Sequence, residues 1–225
     1  GNKGDVYRKK SSDMKRLTEI DKRHQNNEEL TKEDFRFLYE IDSRISGFGY
    51  RQDPRIDEIL SSRNKRKDIA WVLDIREDQI SFSKEEFLQG KGEIIYHRGD
   101  LKLNELKTLD RITLPKFLIG ILSLNGLTST QGLVIPSSVT HISLNGLTSA
   151  QGLVIPSSVT SLSLNGLTSA QGLVIPSGVT HLYLNGLISA QGLVIPSSVT
   201  HIYVNGLTSA QGRGIPSVVT RMTFE

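Results

Sequence analysis

The chain has 225 residues, no cysteine and one tryptophan. Without cysteine there is no disulfide framework, no thiolate zinc site and no cysteine nucleophile. No apolar run approaches the roughly 18 residues that a membrane-spanning helix needs. The first thirty residues are charged rather than signal-like. Membrane insertion is therefore not expected, and cell surface, secreted and cytoplasmic locations all stay open. A further absence divides the chain. Of 51 charged residues, 48 lie in positions 1–116, and the 96 residues from Phe117 to Gly212 contain no Asp, Glu, Lys or Arg. A soluble domain ordinarily carries about a quarter charged residues. The second half must therefore stay in water through Ser, Thr, Asn, Gln and Gly, and two modules of different surface chemistry are expected.

What fills the uncharged half is a 20-residue repeat. Asn-Gly recurs at Asn125, Asn145, Asn165, Asn185 and Asn205, and Ile-Pro at Pro136, Pro156, Pro176, Pro196 and Pro216. A degenerate earlier copy aligns Leu103-Asn104 and Pro115 to the same frame, with one extra residue. Self-similarity at this period marks a solenoid, in which each coil buries its apolar side by stacking on the next. In the copy VTHISLNGLTSAQGLVIPSS, the residues around His141 to Asn145 alternate as a short half-buried strand does. Leu153 to Ile155 reads as a second short extended piece, stopped by Pro156.

The frame formed by Val139, Ile142 and Leu144, with its proline-marked return, resembles a leucine-rich repeat. The string IPSSVT, varied to IPSGVT at Pro176, is similar to the BspA-type repeats of bacterial and protist surface proteins. The short period also resembles the repeats of secreted bacterial effectors. The resemblance covers residues 100–225 and implies a repeat class rather than a ligand. The family places its asparagine three residues after the third apolar position, whereas Asn145 follows Leu144 directly, so a two-sided β-solenoid stays open.

Differences between near-identical copies single out two columns. One reads Ile121, His141, Ser161, His181, His201, Arg221; the other reads Ser123, Ser143, Ser163, Tyr183, Tyr203, Thr223. Strand parity turns both away from the core. The expected ligand-binding face is therefore His141, Ser143, Ser161, Ser163, His181, Tyr183, His201 and Tyr203, because Tyr, Ser and His combine rigid contact area with adaptable hydrogen bonding. The competing interpretation is drift of solvent-facing positions after duplication.

Other chemistries are weaker. Two neighbouring histidines with no carboxylate or thiol in the module do not complete a metal site, so no metal or cofactor is expected. Serines without an orienting acid give no nucleophile, and the chain is read as non-enzymatic. Columns of Thr128, Thr148, Thr168 and Thr208, beside Ser129, Ser149, Ser169, Ser189 and Ser209, suggest an ice- or polysaccharide-binding alternative. Turn capping by these hydroxyls is the simpler interpretation.

Residues 1–12 read as a flexible basic tail and 13–99 as a charged helical domain capping the solenoid. Thr31 opens a helix carrying Phe35, Leu38, Ile41 and Ile45, with Gly47 and Gly49 at its end. Asp53-Pro54 opens another, Asp68 to Leu73 forms a helix or strand, and Ser83 with Glu86 makes a capping box. Arg63, Lys65, Arg66 and Lys67 form a basic patch that supports a nucleic-acid alternative, subordinate to the protein or glycan partner. The string LTKEDFRFLYEIDSRISGFGYRQDPRI resembles hypothetical proteins of uncultivated bacteria. At the far end, Arg213-Gly214, Arg221 and Glu225 depart from the repeat, and the terminal edge offers a route to a homodimer. The expected architecture is α+β: a helical cap, then a leucine-rich-repeat-like β-solenoid of about six coils.

Overall fold

The structure, a computed structural model, describes residues 2–47, 52–205 and 221–223, the last three by their backbone. The chain divides into two compact units, Gly1–Ile80 and Ser81–Glu225. Among the described residues no helix is long and apolar enough to cross a membrane.

The first unit holds α1 (Asn2–Gln25), α2 (Lys32–Leu38), α3 (Pro54–Leu60), α4 (Lys65–Leu73) and a 3-10 turn at Glu77–Gln79. Residues 2–12, expected as a tail, are the first turns of α1. Charge pairs at helical spacing support them: Arg8 meets Asp5, and Lys9 Nζ lies 2.6 Å from Asp13 and donates to Arg44 O. Thr31 and Asp34 form a reciprocal capping box at the start of α2, and Phe35 and Leu38 are buried. Helical spacing through Ile41 and Ile45 predicts a longer helix than is found. Glu40 takes a left-handed φ of 55°, which ends α2 while Ile41 still reaches the core. Asp53 caps α3 with Pro54 in its first turn, and Asn64 caps α4, so the segment from Asp68 to Leu73 is helix. Gly49 lies outside the described residues.

In the second unit Ser83 caps α5 (Lys84–Gln89), and Glu86 accepts from the Phe82 N–H. Phe87 and Ile94 belong to the same apolar cluster as Leu101, Leu103 and the repeat leucines. Residues 81–99, expected with the helical domain, are thus built into the solenoid core. Apolar burial accompanies this: Phe87 and Ile94 are both buried in that cluster.

The strands are β1 (Ile80–Ser81), β2 (Tyr96–Arg98), β3 (Leu101–Lys102), β4 (Phe117–Ile119), β5 (Ile121–Ser123), β6 (His141–Ser143), β7 (Ser161–Ser163), β8 (His181–Tyr183), β9 (His201–Tyr203) and β10 (Arg221–Thr223). They form a three-stranded sheet of order β1-β2-β4 and a seven-stranded sheet of order β10-β9-β8-β7-β6-β5-β3. From β5 onward each strand pairs in parallel with its counterpart 20 residues on, while β3 pairs with β5 at 21, which absorbs the extra residue of the first copy. This is a helical N-terminal region followed by a parallel β-solenoid.

Each repeat coil supplies one strand to the seven-stranded sheet. Leu153 to Ile155, expected as a second extended piece, has no strand ladder; Pro156 cannot donate, and its carbonyl accepts from Val159 N in a turn. Among the described residues outside named strands, one isolated bridge joins Ser169 and Ser189. Val139, Ile142, Leu144, Leu147, Ala150 and Leu153 all point inward and are buried; the next coil repeats the pattern, and in the one after it Ala190 and Leu193 are half-buried. Each such leucine contributes about 1.5–3 kcal/mol when removed from water.

Two glycine columns are forced by this geometry. A Cβ at Gly146 or Gly166 would lie 2.4 or 2.2 Å from the preceding coil's Asn125 or Asn145 carbonyl oxygen. Gly152 and Gly172 take φ of 74° and 78° to turn the corner after glutamine.

Candidate functional site

The parallel register carries the two variable columns onto one exposed strip. His141 pairs with Ser161, Ser161 with His181, and His181 with His201; Ser143, Ser163, Tyr183 and Tyr203 follow alongside. In each of these strands the middle residue is buried and its neighbours are half-buried, as alternation requires. The structure therefore brings all eight expected face residues together. His181 and His201 stack with ring centres 4.5 Å apart and planes within 3° of parallel, and Tyr183 and Tyr203 do the same.

Each imidazole is held from below by the threonine that precedes it. Nδ1 lies 2.9 Å from Oγ1 of Thr140 at His141, 3.0 Å from Thr180 at His181 and 2.9 Å from Thr200 at His201. Thr180 and Thr200 also donate to the Thr160 and Thr180 carbonyls, at 3.1 and 3.2 Å. A hydroxyl has one proton, so donor counting makes Nδ1–H the donor to the threonine; in the neutral tautomer that this selects, Nε2 is the acceptor. Burial, and then the neighbouring His201, push His181 below its ordinary value.

Beneath the second column runs an asparagine ladder, one position after the third apolar residue. Asn125 Oδ1 accepts from the Asn145 N–H at 3.0 Å and from Ser143 Oγ at 2.6 Å. Asn145 Oδ1 repeats this with Asn165 N–H and Ser163 Oγ, at 3.0 and 2.8 Å. The pattern changes where tyrosine replaces serine. Asn165 Oδ1 accepts the Asn185 N–H, and Asn185 Oδ1 is buried without a hydrogen-bond partner. An orphaned acceptor costs about 1–3 kcal/mol. Tyr183 makes no counterpart of the Ser143 and Ser163 hydroxyl bonds, while Asn165 beside it keeps the Asn185 N–H.

The other sequence candidates are placed differently. Thr148, Thr168, Ser149 and Ser169 are exposed, and the Ser149 and Ser169 hydroxyls accept from the Gln151 and Gln171 N–H groups, which is turn capping. Ile188 interrupts the threonine row, and Thr208 and Ser209 lie outside the described residues. In the basic patch, Arg63 forms a two-pronged pair with Asp68 at 2.7 and 2.8 Å and sits 4.2 Å over the Phe35 ring. Arg66 donates to the Glu77 and Ile80 carbonyls, while Lys65 and Lys67 are exposed on the first turn of α4. Among the described residues no group of three or more His, Asp or Glu is arranged around a common metal position. Arg213, Gly214 and Glu225 lie outside the described residues; Arg221 pairs through its backbone with His201.

Two features escaped the sequence reading. Val134, Val154, Val174 and Val194 are 79, 77, 73 and 75% exposed and make an apolar row on the return side of the coil. The Leu-Val-Ile alternation was the available signal. The second is His97, fully buried, with Nδ1 2.8 Å from Ser81 Oγ and its ring edge-on to Phe87. Burial pushes its imidazole below the ordinary value. Nothing in local sequence pairs residues 81 and 97.

Comparison of the chain with family models, with curated proteins and with solved structures gives no match.

Proposed function

We propose that this chain is a non-enzymatic binding protein whose exposed strand face, centred on His181, Tyr183, His201 and Tyr203, takes a protein or glycan ligand. The observation that carries this reading is the tyrosine pair. It replaces the serines that each donate a second hydrogen bond to the asparagine ladder in the earlier coils, and sets two stacked rings on the outside. Structural selection alone favours serine there; a surface role favours tyrosine. One strand per coil, with asparagines bridging successive coils, also supports reading the repeat as leucine-rich-repeat-like, in the manner of BspA-type surface proteins.

The test is a glycan array and a lysate pull-down with the whole chain beside the double variant Tyr183→Ala, Tyr203→Ala. The variant keeps its far-ultraviolet circular dichroism and loses the partner. A partner held equally by both proteins removes the strand face from consideration. Binding that falls steeply with salt and disappears on neutralising Arg63, Lys65, Arg66 and Lys67 moves the function to the first unit.

A further inference from the structure

The imidazole column has a missing rung. Histidine stands at 141, 181 and 201, and serine at 161, all in register. His141 and His181 are therefore two strand spacings apart, about 9.6 Å. Their threonine contacts, 2.9 and 3.0 Å, match, so both rings are held from the same side. Where the rung is filled, by His201 beside His181, the rings stack at 4.5 Å. A flat ring seated over Ser161 would lie about 4.8 Å from each neighbour, within the range in which aromatic rings attract. Beside this gap the tyrosine column starts at Tyr183, whose in-register neighbour on that side is Ser163. Tyr183 thus stands diagonally across from the gap, one strand on and two residues along.

We propose that the gap over Ser161 is a slot for one planar aromatic ring, presented as a tyrosine, tryptophan or histidine side chain by a partner protein, which completes the ladder between His141 and His181. The proposal rests on the strand face being the binding surface, and it narrows the ligand from protein or glycan to protein. Three observations select the ring. No Asp, Glu, Lys or Arg occurs from Phe117 to Gly212, so a charged group finds no counter-charge on this module. The hydroxyls around the gap are already engaged: Ser143 and Ser163 with asparagines, Thr160 with the Thr140 carbonyl. A sugar would bring several hydroxyls to a site offering chiefly Ser161 and the His181 Nε2, and burying the remainder unpaired is costly. The faces of an aromatic ring ask for no such partners, its single polar edge group stays toward solvent, and it gains two stacking neighbours.

The chain has five histidines, of which His24 belongs to the helical unit and His97 is buried, so imidazole C–H resonances of the full chain report on the slot directly. N-acetyl-L-tryptophanamide is titrated against the wild type, Ser161→His and Ser161→Ala, with methyl α-D-glucopyranoside as the sugar arm. Saturable ring-current shifts are expected at His141 and His181, smaller at His201 and absent at His24 and His97. Ser161→His fills the slot and abolishes them; Ser161→Ala keeps the floor small and retains them; the glucoside produces none. Histidine already occupies this column in three coils, so unchanged circular dichroism is expected for Ser161→His. The slot is overturned by the absence of saturable shifts, by shifts that survive Ser161→His, or by equal shifts with the glucoside. Its failure is separable from failure of the face: a partner lost by the Tyr183/Tyr203 variant but indifferent to Ser161→His sinks the slot alone.

Discussion

The helical unit and the repeat unit solve the same problem, satisfying polar groups beside an apolar core, with opposite chemistries. In the helical unit, ion pairs close the structure. Arg23 lies 2.7 Å from Asp34, Arg55 2.9 Å from Asp53, and Arg63 2.7 Å from Asp68, which also accepts from Tyr39 at 2.8 Å. In the repeat unit the work falls to neutral groups that bond to their own copies one coil away: asparagine to asparagine, serine to asparagine, threonine to the threonine carbonyl. The difference follows from periodicity. Identical charges stacked every 4.8 Å or so would repel along the whole solenoid, whereas amides and hydroxyls both donate and accept and so stack with themselves. The helical unit has no such repeat and can place opposite charges at will.

The largest effect is expected in the solenoid core. Leu164→Ala should cost about 2–5 kcal/mol in urea unfolding of the repeat unit. The loss propagates because each coil is closed only by its neighbours. A shift confined to the helical unit's transition would break the contrast.

Next comes the ladder. Asn145→Ala removes an acceptor of two hydrogen bonds and should cost about 1–3 kcal/mol, whereas Asn185→Ala, whose Oδ1 has no partner, should cost distinctly less. Equal costs in chemical denaturation would mean that the bonds accepted by Asn145 Oδ1 contribute nothing beyond what the unpartnered Asn185 does.

Acid should separate the units. His97 and His181 both have folded-state values below the ordinary one, so their neutral forms are favoured by folding. The solenoid is then unpenalised above the unfolded histidine value of about 6.5 and loses stability as pH falls through it, since the unfolded chain takes up protons first. In the helical unit, burial pushes Asp34 up, but Arg23 and Thr31 outweigh it and hold the carboxyl below its usual range; Asp53 is held low chiefly by Arg55. Stability from these carboxylates is present above the unfolded value of about 3.9 and is lost as pH falls through the lower folded values. Acid titration followed at Trp71, in the helical unit, should therefore show a transition at lower pH than histidine resonances of the solenoid. Coincident transitions would contradict the separation.

The smallest effect concerns salt. The helical unit's exposed pairs, such as Arg76–Asp78, contribute at most about 1 kcal/mol, and molar sodium chloride should shift its melting slightly. The uncharged coils should not respond through ion-pair screening. A larger salt response in the coils than in the helices would reverse the comparison.

Sequence by itself determined the solenoid. A 20-residue period, alternation around Ile142 and an invariant Asn-Gly leave few ways to bury six apolar positions per coil, and the parallel register follows from repetition. It also determined which columns face outward, because strand parity is local. Short-range capping at Thr31, Asp53 and Ser83 was legible for the same reason. What only the tertiary structure decided depends on groups far apart in sequence. It set the division at Ile80/Ser81, where Phe87 and Ile94 join the repeat core, and it continued α1 back to Asn2. It enclosed His97 beside Ser81 and joined Asn125 to Asn145 and Ser143. The stacking of His181 on His201, and of Tyr183 on Tyr203, needs both the register that sequence implies and the strand spacing that only packed coils fix. The gap over Ser161 exists for that same reason: a single small residue becomes a slot when its neighbours are held one strand away on either side.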